Sequence, residues 1–255
     1  MSDRESVLPG QDTLIACWTA LANASPGATV TVFPESIAAV FPAWAPLNNA
    51  IMRRVAPGQA SDEATRLARI YGAAGIDTWA LWLPTTVTTL DSNDELALTG
   101  LERDTTTLVM TTELRSSLRQ HDGVVRTSVA SAVLAGDAAV AVADVEVSEG
   151  APGLSGWVFV DEGFAVAGLW AFRHGYDCGI YGVGTVPERR RRGLARALVE
   201  HVLADAAQQG AHTASLQSTA MGLPLYESLG FIPVGRYEEW LWASAGLDQE
   251  VRIAE

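Results

Sequence analysis

The sequence has few cysteines, few histidines and no long apolar run, and each shortage excludes a class of protein. Its two cysteines, Cys17 and Cys178, lie far apart, so neither a disulfide framework nor the ligand spacing of a metal site is expected. The four histidines form no His-x-x-x-His pair. No run reaches the ~20 apolar residues of a membrane span, and the N-terminus lacks the apolar centre of a signal peptide. We therefore expect no metal, no membrane partner and a cytoplasmic location.

Basic residues are also scarce. The chain has 17 basic residues, all of them arginine, against 30 acidic ones, and its net charge is −13. Nucleic-acid binding usually needs an overall or strongly clustered basic field, so we expect no nucleic-acid partner. The one marked basic cluster is Arg189–Arg192. An acidic surface steers cationic amines but also serves plain solubility, so charge alone does not identify a substrate.

Length and composition leave room for two folded domains. The chain has 255 residues, of which 48% are hydrophobic and 18% charged. A chain of this length is long for one average domain. Its apolar content is high enough for full cores and is unlike that of a disordered protein.

The stretch from Val183 to Arg196 predicts a strand, a basic loop and a helix. The preceding segment Cys178–Val186 is apolar enough for a buried strand, which Pro187 ends because it has no N–H to donate. Apolar residues then recur on one helical face: Leu194, Leu198, Val202 and Ala206. Gly193 stands where the first N–H groups of that helix lack partners, so the loop predicts a phosphate or pyrophosphate site. A solvated loop, a nucleic-acid patch and simple helix punctuation are the alternatives.

The segment Arg190-x-x-Gly193-x-Ala195 resembles the Arg/Gln-x-x-Gly-x-Gly/Ala motif of the GCN5-related N-acetyltransferases (GNAT). In that family the loop holds the pyrophosphate of acetyl-coenzyme A. Two departures are an alanine in the second glycine position and Arg191 where a small residue is common. The resemblance implies these coenzyme-binding residues: Val183, Thr185, Val186, Arg190, Arg191, Arg192, Gly193, Leu194, Ala195, Arg196 and Ser218.

A second resemblance follows at the family's spacing. Leu225-Tyr226-x-x-x-Gly230-Phe231 is similar to the family's Leu-Tyr-x-x-x-Gly-Phe element. The tyrosine of that element usually faces the coenzyme sulfur, which makes Tyr226 the candidate acid that protonates the departing thiolate. Alternatively, Tyr226 is a half-buried helix residue and Gly230 its C-cap. The resemblance to this family covers roughly residues 125–243, about half of the chain.

The predicted coenzyme strand carries glycines at positions 179, 182 and 184. Glycine weakens a strand, so three of them predict a bulge or a close approach of the backbone to a ligand. The resemblance implies that backbone groups of Val183 and Thr185 bind the pantetheine amides. No general base is identified, because no carboxylate lies between Cys178 and Val186. Glu146, His174 and Asp177 are nearby in sequence, each as well explained as a surface or turn residue, and a water chain is equally open.

An order of elements occurs twice along the chain. A helix, a strand, a short helix, a glycine and a strand follow one another over residues 61–112 and again over 193–242. We therefore predict an α/β (α+β) fold of two GNAT-like lobes, each a mixed, mainly antiparallel twisted sheet flanked by helices. The lobes would span 1–118 and 125–255, with a linker within 113–128. Two unrelated α/β segments are the alternative. We also predict a strand over Ala138–Val147.

The first half is expected to have lost its coenzyme site. The segment Arg53–Ala60 contains no Arg-x-x-Gly-x-Gly/Ala, and Leu98-Thr-Gly-Leu101 has no tyrosine in the place of Tyr226. Asp62 and Glu63 occupy the first turn of the following helix, where carboxylates would repel a pyrophosphate.

The resemblance implies an acetyl-coenzyme A-dependent N-acetyltransferase acting on a primary amine of a small molecule or peptide. A non-catalytic acyl-coenzyme A sensor or regulatory protein is the alternative, because the base carboxylate is missing. A nucleic-acid-binding module that uses the arginines is a third hypothesis, disfavoured by the acidic balance. A homodimer is left open, and the sequence does not name the amine, because fold does not fix function.

Overall fold

The computed structural model describes residues 8–53, 58–84, 96–97, 99–115, 118–145 and 150–243. Its α-helices are α1 Gln11–Ala24, α2 Ala60–Ala73, α3 Val129–Asp137, α4 Leu194–Gln208 and α5 Leu223–Ser228. Its strands are β1 Thr29–Val32, β2 Ser36–Val40, β3 Asn49–Met52, β4 Thr78–Pro84, β5 Glu102–Glu113, β6 Val124–Thr127, β7 Val140–Ala141, β8 Leu154–Asp161, β9 Phe164–His174, β10 Asp177–Thr185, β11 Thr213–Ser218 and β12 Ile232–Ala243. Short 3-10 helices cover Ala45–Leu47, Val142–Asp144 and Pro187–Arg189.

The chain forms two compact units that do not follow the sequence order. Among the described residues, the first unit holds those of 22–107 and 236–243, and the second holds those of 8–21 and 108–235. The lobes proposed from the sequence, 1–118 and 125–255, concern an internal repeat rather than compactness, and they stay a prediction.

The first unit is built on a sheet with the strand order β1-β2-β3-β4-β12. Only β3 and β4 run parallel, and the other neighbouring pairs are antiparallel. Helix α2 buries Leu67 and Tyr71 against Trp79 and Trp240 of this sheet. The rings of Tyr71 and Trp79 stack with centroids 4.6 Å apart, and the Tyr71 hydroxyl donates to the carbonyl of Ala39. Aromatic burial of this size dominates the stability of a small core.

The second unit is built on the strand order β5-β11-β10-β9-β8-β6, with β7 paired to β9. Only β10 and β11 are parallel. Helix α4 connects these two strands and buries Leu198 and Val202 against Ile180 and Leu216. A strand, a helix and a parallel strand in this order place the start of the helix at the carboxyl end of the first strand, where ligands bind in open α/β sheets.

Each unit includes a strand that comes from the other half of the sequence. The second part of β5 pairs with β11, from Leu108–Ser218 to Glu113–Thr213. The last strand, β12, pairs with β4 from Tyr237–Pro84 to Ala243–Thr78. The first half of the sequence therefore supplies a strand to the second unit, and the second half supplies one to the first unit.

Helix α3 lies between the predicted linker, 113–128, and the predicted strand, Ala138–Val147. The predicted strand Ala138–Val147 is wrong: α3 ends at Asp137, the two-residue β7 and a 3-10 turn follow, and residues 146–149 lie outside the description. Ser128 starts α3 as its N-cap, with Oγ accepting from the Ser131 N–H at 3.0 Å. The predicted linker is also shorter than 113–128, because β6 occupies Val124–Thr127.

Glycines allow α3 to lie directly on the strands. A Cβ at Gly168 of β9 would stand 1.8 Å from the carbonyl oxygen of Ala132, and one at Gly184 of β10 would stand 2.8 Å from Cα of Gly136. Gly168 and Gly184 are paired partners in the sheet. A side chain at either position would displace the helix, so these glycines fix α3 beside the carboxyl end of β10.

Candidate active site

Strands β10 and β11 separate at the middle of β10. Their parallel pairing runs from Asp177–Thr213 to Ile180–Leu216, while β10 continues to Thr185. Among the described residues, the pairing of β10 with β11 therefore ends at Ile180, and β10 runs on for five residues beyond it.

The other edge of β10 carries the predicted bulge. The register with β9 shifts between Tyr181 and Gly184, so Val183 falls outside the paired positions. Gly182 has φ +59°, and a Cβ there would lie 1.8 Å from the Trp170 ring. Only glycine fits both the left-handed backbone and the close ring. The predicted bulge is confirmed, and it leaves the backbone of Val183 available to a ligand.

The loop after β10 presents free N–H groups at the start of α4. Arg191 has φ +61°, Gly193 has φ +79°, and the first helical bond runs from Ala197 N–H to the Gly193 carbonyl at 3.0 Å. Within the part of the chain that the structure describes, the N–H groups of residues 191–196 have no hydrogen-bond partner. A Cβ at Gly193 would meet no atom within 4 Å, so the space beside these N–H groups is open. Such a helix start attracts an anion.

The four consecutive arginines have different partners. Arg189 binds Asp161 and Glu162 at 2.9 and 2.7 Å, and Arg192 binds Asp161 at 2.9 Å. Arg190 Nε donates to the Thr185 carbonyl at 2.9 Å. Arg191 is exposed, and its side chain has no partner among the described residues. Farther along, Arg196 reaches Ser228 on α5 with two long contacts of 3.4 Å.

The remaining predicted coenzyme residues divide into available and occupied groups. Thr185 Oγ1 is buried and has no partner within the described ranges, so it can accept or donate a bond to a ligand. Val186 is buried, and its N–H already donates to Val166 at 3.0 Å. Ser218 is 1% exposed, and its hydroxyl donates to the Thr219 carbonyl. Leu194 and Ala195 are half-buried in the first turn of α4.

Tyr226 lies in α5 with its ring in the core of the second unit. It is 8% exposed and meets Phe231 edge-on, with centroids 5.9 Å apart. Its hydroxyl has no hydrogen-bond partner in the described chain. Burial raises the pKa of Tyr226 to about 12, because desolvation disfavours the phenolate. The phenol is therefore protonated at neutral pH and able to donate a proton.

Two of the three base candidates lie at the wrong end of β10. Asp177 begins the strand, about 17 Å from Gly182 along an extended chain, and accepts from Thr213 and Ser215 at 2.8 and 2.6 Å. His174 pairs with Asp177 at the same end. Both are structural hairpin residues, as the alternative interpretation held, and Glu146 lies outside the described residues.

The residues that sequence reasoning missed are Asp161, Glu162 and Gly222. The two acids form ion pairs with arginines 27 to 31 positions away, and no local sequence pattern predicts ion pairs at such a distance. A Cβ at Gly222 would stand 2.8 Å from Cε2 of Tyr226. Gly222 lies one helical turn before Tyr226, and this spacing was the sequence signal that could have predicted the contact between them.

The described residues contain neither a candidate metal-binding group nor a candidate membrane-spanning helix. No group of three or more His, Cys, Asp or Glu side chains is arranged to hold a metal ion. No described helix combines the length and apolarity needed to cross a membrane.

Comparison with known proteins finds a domain family that part of the chain matches. Residues 152–233 match the family described as "Acetyltransferase (GNAT) domain". A search of the curated proteins finds no match. Among solved structures, the GCN5-related N-acetyltransferase from Kribbella flavida has 18% identity and a TM-score of 0.63, covering 91% of this chain and 96% of that one.

Two further structures share the fold along most of the chain. A GCN5-related N-acetyltransferase-like protein from Streptococcus suis has 15% identity and a TM-score of 0.57, covering 92% of this chain and 94% of its own. A tandem GNAT protein from the clavulanic acid biosynthesis pathway has 11% identity and a TM-score of 0.50, covering 95% and 98%. The predicted fold class, a mixed and mostly antiparallel sheet flanked by helices, is confirmed. Residues 152–233 thus match the GNAT acetyltransferase domain model, and the chain shares the fold of the GCN5-related N-acetyltransferases.

Proposed function

We propose that this chain is an acetyl-coenzyme A-dependent N-acetyltransferase that acts on a primary amine of a small molecule or peptide. The observation that carries the proposal is the row of unpartnered N–H groups at residues 191–196, directly after β10 parts from β11. An anionic, elongated ligand with amide groups fits both features, because its phosphates meet the helix start and its amides meet the part of β10 that runs beyond its pairing with β11.

The residues present fit coenzyme A on observations independent of the family motif. The bulged backbone of Val183 and the unpartnered Thr185 Oγ1 can bind the amides of a pantetheine arm. The open space at Gly193 admits a phosphate close to the backbone. Acetyl-coenzyme A supplies the activated acyl thioester, and the chain's part is to bind it, orient it and exclude water.

Tyr226 holds the proton that the reaction needs. Its phenol stays protonated because burial raises its pKa to about 12. A phenol whose hydroxyl has no described protein partner is free to hydrogen-bond to a leaving group and to protonate it as negative charge develops. We therefore assign Tyr226 Oη as the general acid.

The first half of the chain is proposed to be a GNAT-like lobe without a coenzyme site. Strand β3, helix α2 and strand β4 repeat the order of β10, α4 and β11, and β3 runs parallel to β4 from Asn49–Ala80 to Ile51–Trp82. Residues 54–57 and Leu98, which belong to the corresponding motif positions, lie outside the description.

A carboxylate stands at the start of α2, where the second half has open N–H groups. Glu63 is 9% exposed and forms a salt bridge with Arg66, whose guanidinium also reaches Ser36 and lies 3.8 Å from the Phe33 ring centroid. Burial alone would raise the pKa of Glu63, but hydrogen bonds from Arg66 and Ser36 and the charge of Arg66 outweigh it and lower the pKa. A phosphate at this place would meet an ionised carboxylate.

A non-catalytic acyl-coenzyme A sensor is the second candidate. It is favoured by one observation: no carboxylate lies on β10 beyond Asp177, so the acceptor amine meets no base on that strand. Turnover separates the two functions, because a sensor binds the coenzyme without releasing thiol in the presence of any amine.

The test begins with binding and continues with turnover. Calorimetry should detect acetyl-coenzyme A binding to the full chain. Gly193→Glu should abolish it, because this change places bulk and negative charge where the phosphates bind. Release of free thiol is then measured against a panel of primary amines. Unchanged affinity in Gly193→Glu would contradict the assigned site, and binding without turnover on any amine would favour the sensor.

A further inference from the structure

Two arginines of the loop converge on one oxygen atom. Nη1 of Arg189 and Nη1 of Arg192 both donate to Oδ2 of Asp161 at 2.9 Å. Nη2 of Arg189 also donates to Glu162 at 2.7 Å. Asp161 is only partly accessible, with 21% of its side chain exposed, whereas 70% of the Glu162 side chain is exposed. Asp161 is therefore the shared anchor, and Glu162 is an outer contact of one arginine.

The anchor belongs to a rigid hairpin. Asp161 is the last residue of β8 and pairs with Phe164, the first residue of β9. A two-residue turn, Glu162-Gly163, joins them. Both turn residues have positive φ, 52° and 85°, which is the type I′ geometry that matches the twist of paired strands. The position of the Asp161 carboxylate is thus set by the sheet rather than by the loop that it holds.

The loop that Asp161 holds is strained. Arg191, between the two anchored arginines, has φ +61°, a conformation that is unfavourable for a residue with a side chain. Such a conformation persists only where its surroundings fix it from several sides. Here Arg189 and Arg192 are fixed by Asp161, and Arg190 is fixed by the Thr185 carbonyl. These contacts hold the segment whose N–H groups face open space.

We propose that Asp161 is a positioning residue for coenzyme binding, which rests on the proposed function of the loop. Asp161 keeps residues 189–192 in the conformation that directs the N–H groups of 191–196 toward one anion. Because Asp161 binds Arg189 and Arg192, phosphate recognition falls on those N–H groups and on Arg191. A carboxylate beside a phosphate site is unfavourable by charge alone, so its presence there is explained by what it holds in place.

The test is Asp161→Asn in the full chain, which keeps the shape of the side chain and removes its charge. We expect the dissociation constant of acetyl-coenzyme A to rise about tenfold and KM to rise with it, while kcat stays unchanged. If Asp161 acted only as a negative charge near the phosphates, the same variant would bind more tightly, and the gain would shrink as salt rises. Affinity that is tighter or within twofold of the wild type would overturn the proposal.

Matched variants guard against a purely structural effect. Glu162→Gln removes the exposed neighbouring carboxylate and should change affinity less than twofold. Asp161→Glu keeps the charge but moves the carboxylate by one methylene, so its affinity should fall between those of the wild type and Asp161→Asn. Equal affinity in Asp161→Glu and the wild type would contradict positioning, even if Asp161→Asn proved too unstable to measure. Failure of the wild type to bind acetyl-coenzyme A would instead reject the proposed function itself.

Discussion

Gly222 lies against the ring of Tyr226, and a Cβ at position 222 would stand 2.8 Å from the tyrosine Cε2. Real Cβ atoms do not approach so closely, so any side chain at 222 must move the ring. Tyr226 is buried and also contacts Phe231 edge-on, so its ring has little room to adjust. The orientation of the proposed acid is therefore set by a residue one turn earlier in the chain.

We expect Gly222→Ala to lower kcat about tenfold while the affinity for acetyl-coenzyme A stays within twofold. The backbone of Gly222 has φ −79°, which alanine adopts without strain, so the effect comes from the ring displacement. Gly72→Ala in α2 is the matched control, because a Cβ there meets nothing within 4 Å. That variant should keep full activity and gain up to about 1 kcal/mol of stability from helix propensity.

Removing the hydroxyl of Tyr226 should reduce turnover without loss of coenzyme binding. Tyr226→Phe keeps the buried ring and removes the proton donor, so kcat should fall by about 10²–10⁴-fold. Because its pKa is raised to about 12, Tyr226 should add no pH dependence to kcat below about pH 11. Steady-state kinetics across pH 6–10 check both statements. Wild-type turnover in Tyr226→Phe would make this tyrosine a packing residue.

Glu239 makes the stability of the first unit depend on pH. Burial, with a further contribution from the charge of Asp104, raises the pKa of Glu239 from 4.5 to about 8, and its carboxyl is hydrogen-bonded to Thr107. The folded state therefore keeps a proton that the unfolded chain releases above pH 4.5. The free energy of unfolding is therefore not reduced by Glu239 below pH 4.5. It falls as the pH rises from 4.5 to about 8, by at most about 5 kcal/mol.

Denaturant unfolding between pH 4.5 and 9 measures this dependence. Glu239→Gln stays neutral and keeps the hydrogen bond, so its stability should decline less over this range and exceed that of the wild type at pH 8. Asp104→Asn should make the decline smaller and end it at a lower pH, because removing this nearby negative charge lowers the pKa of Glu239 in the folded state. Identical slopes for Glu239→Gln and the wild type would contradict the assignment.

One coenzyme should bind per chain. The salt bridge of Glu63 with Arg66 occupies the start of α2, whereas the start of α4 has open N–H groups. Calorimetric stoichiometry near one is expected for the wild type, and none for Gly193→Glu. A stoichiometry near two, or one that remains at one in Gly193→Glu, would show a working site elsewhere.

A fragment of residues 125–255 should fold poorly. It lacks residues 108–113, which pair with β11, and residues 78–84, which pair with β12. Two unpaired strand edges favour aggregation. A fragment of residues 102–255 restores the partner of β11 and should be more soluble, as measured by size-exclusion chromatography and circular dichroism. Equal behaviour of the two fragments would argue that β5 contributes little to the second unit.

The elements nearest the site were predicted closely because their signals are local. Strand β10 spans Asp177–Thr185, against the predicted Cys178–Val186, and α4 begins at Leu194, directly after the Gly193 that was predicted to stand at its start. Pro187 predicted the end of β10, Gly193 predicted the start of α4, and the spacing of apolar residues predicted the buried face of that helix. The glycines of β10 predicted an irregularity, and the structure has a register shift there, between Tyr181 and Gly184.

The features that escaped prediction depend on contacts distant in sequence. Helix α3 consists of small and apolar residues without helical periodicity, and it is stabilised on the strands by Gly168 and Gly184 from other elements. The partners of Arg189 and Arg192 lie on a hairpin nearly 30 residues earlier. Likewise, the order of helices and strands predicted a repeat but could not tell which strand completes which sheet.

The pairing of β12 with β4 also sets the order in which the protein can be completed during synthesis. Residues 78–84 leave the ribosome long before residues 237–243 with which they pair. At ~5–20 residues per second, the intervening ~150 residues take roughly 10–30 s to make. Throughout that time the edge of β4 offers an unsatisfied row of backbone groups. The sheet of the first unit is therefore incomplete until β12 has been synthesised.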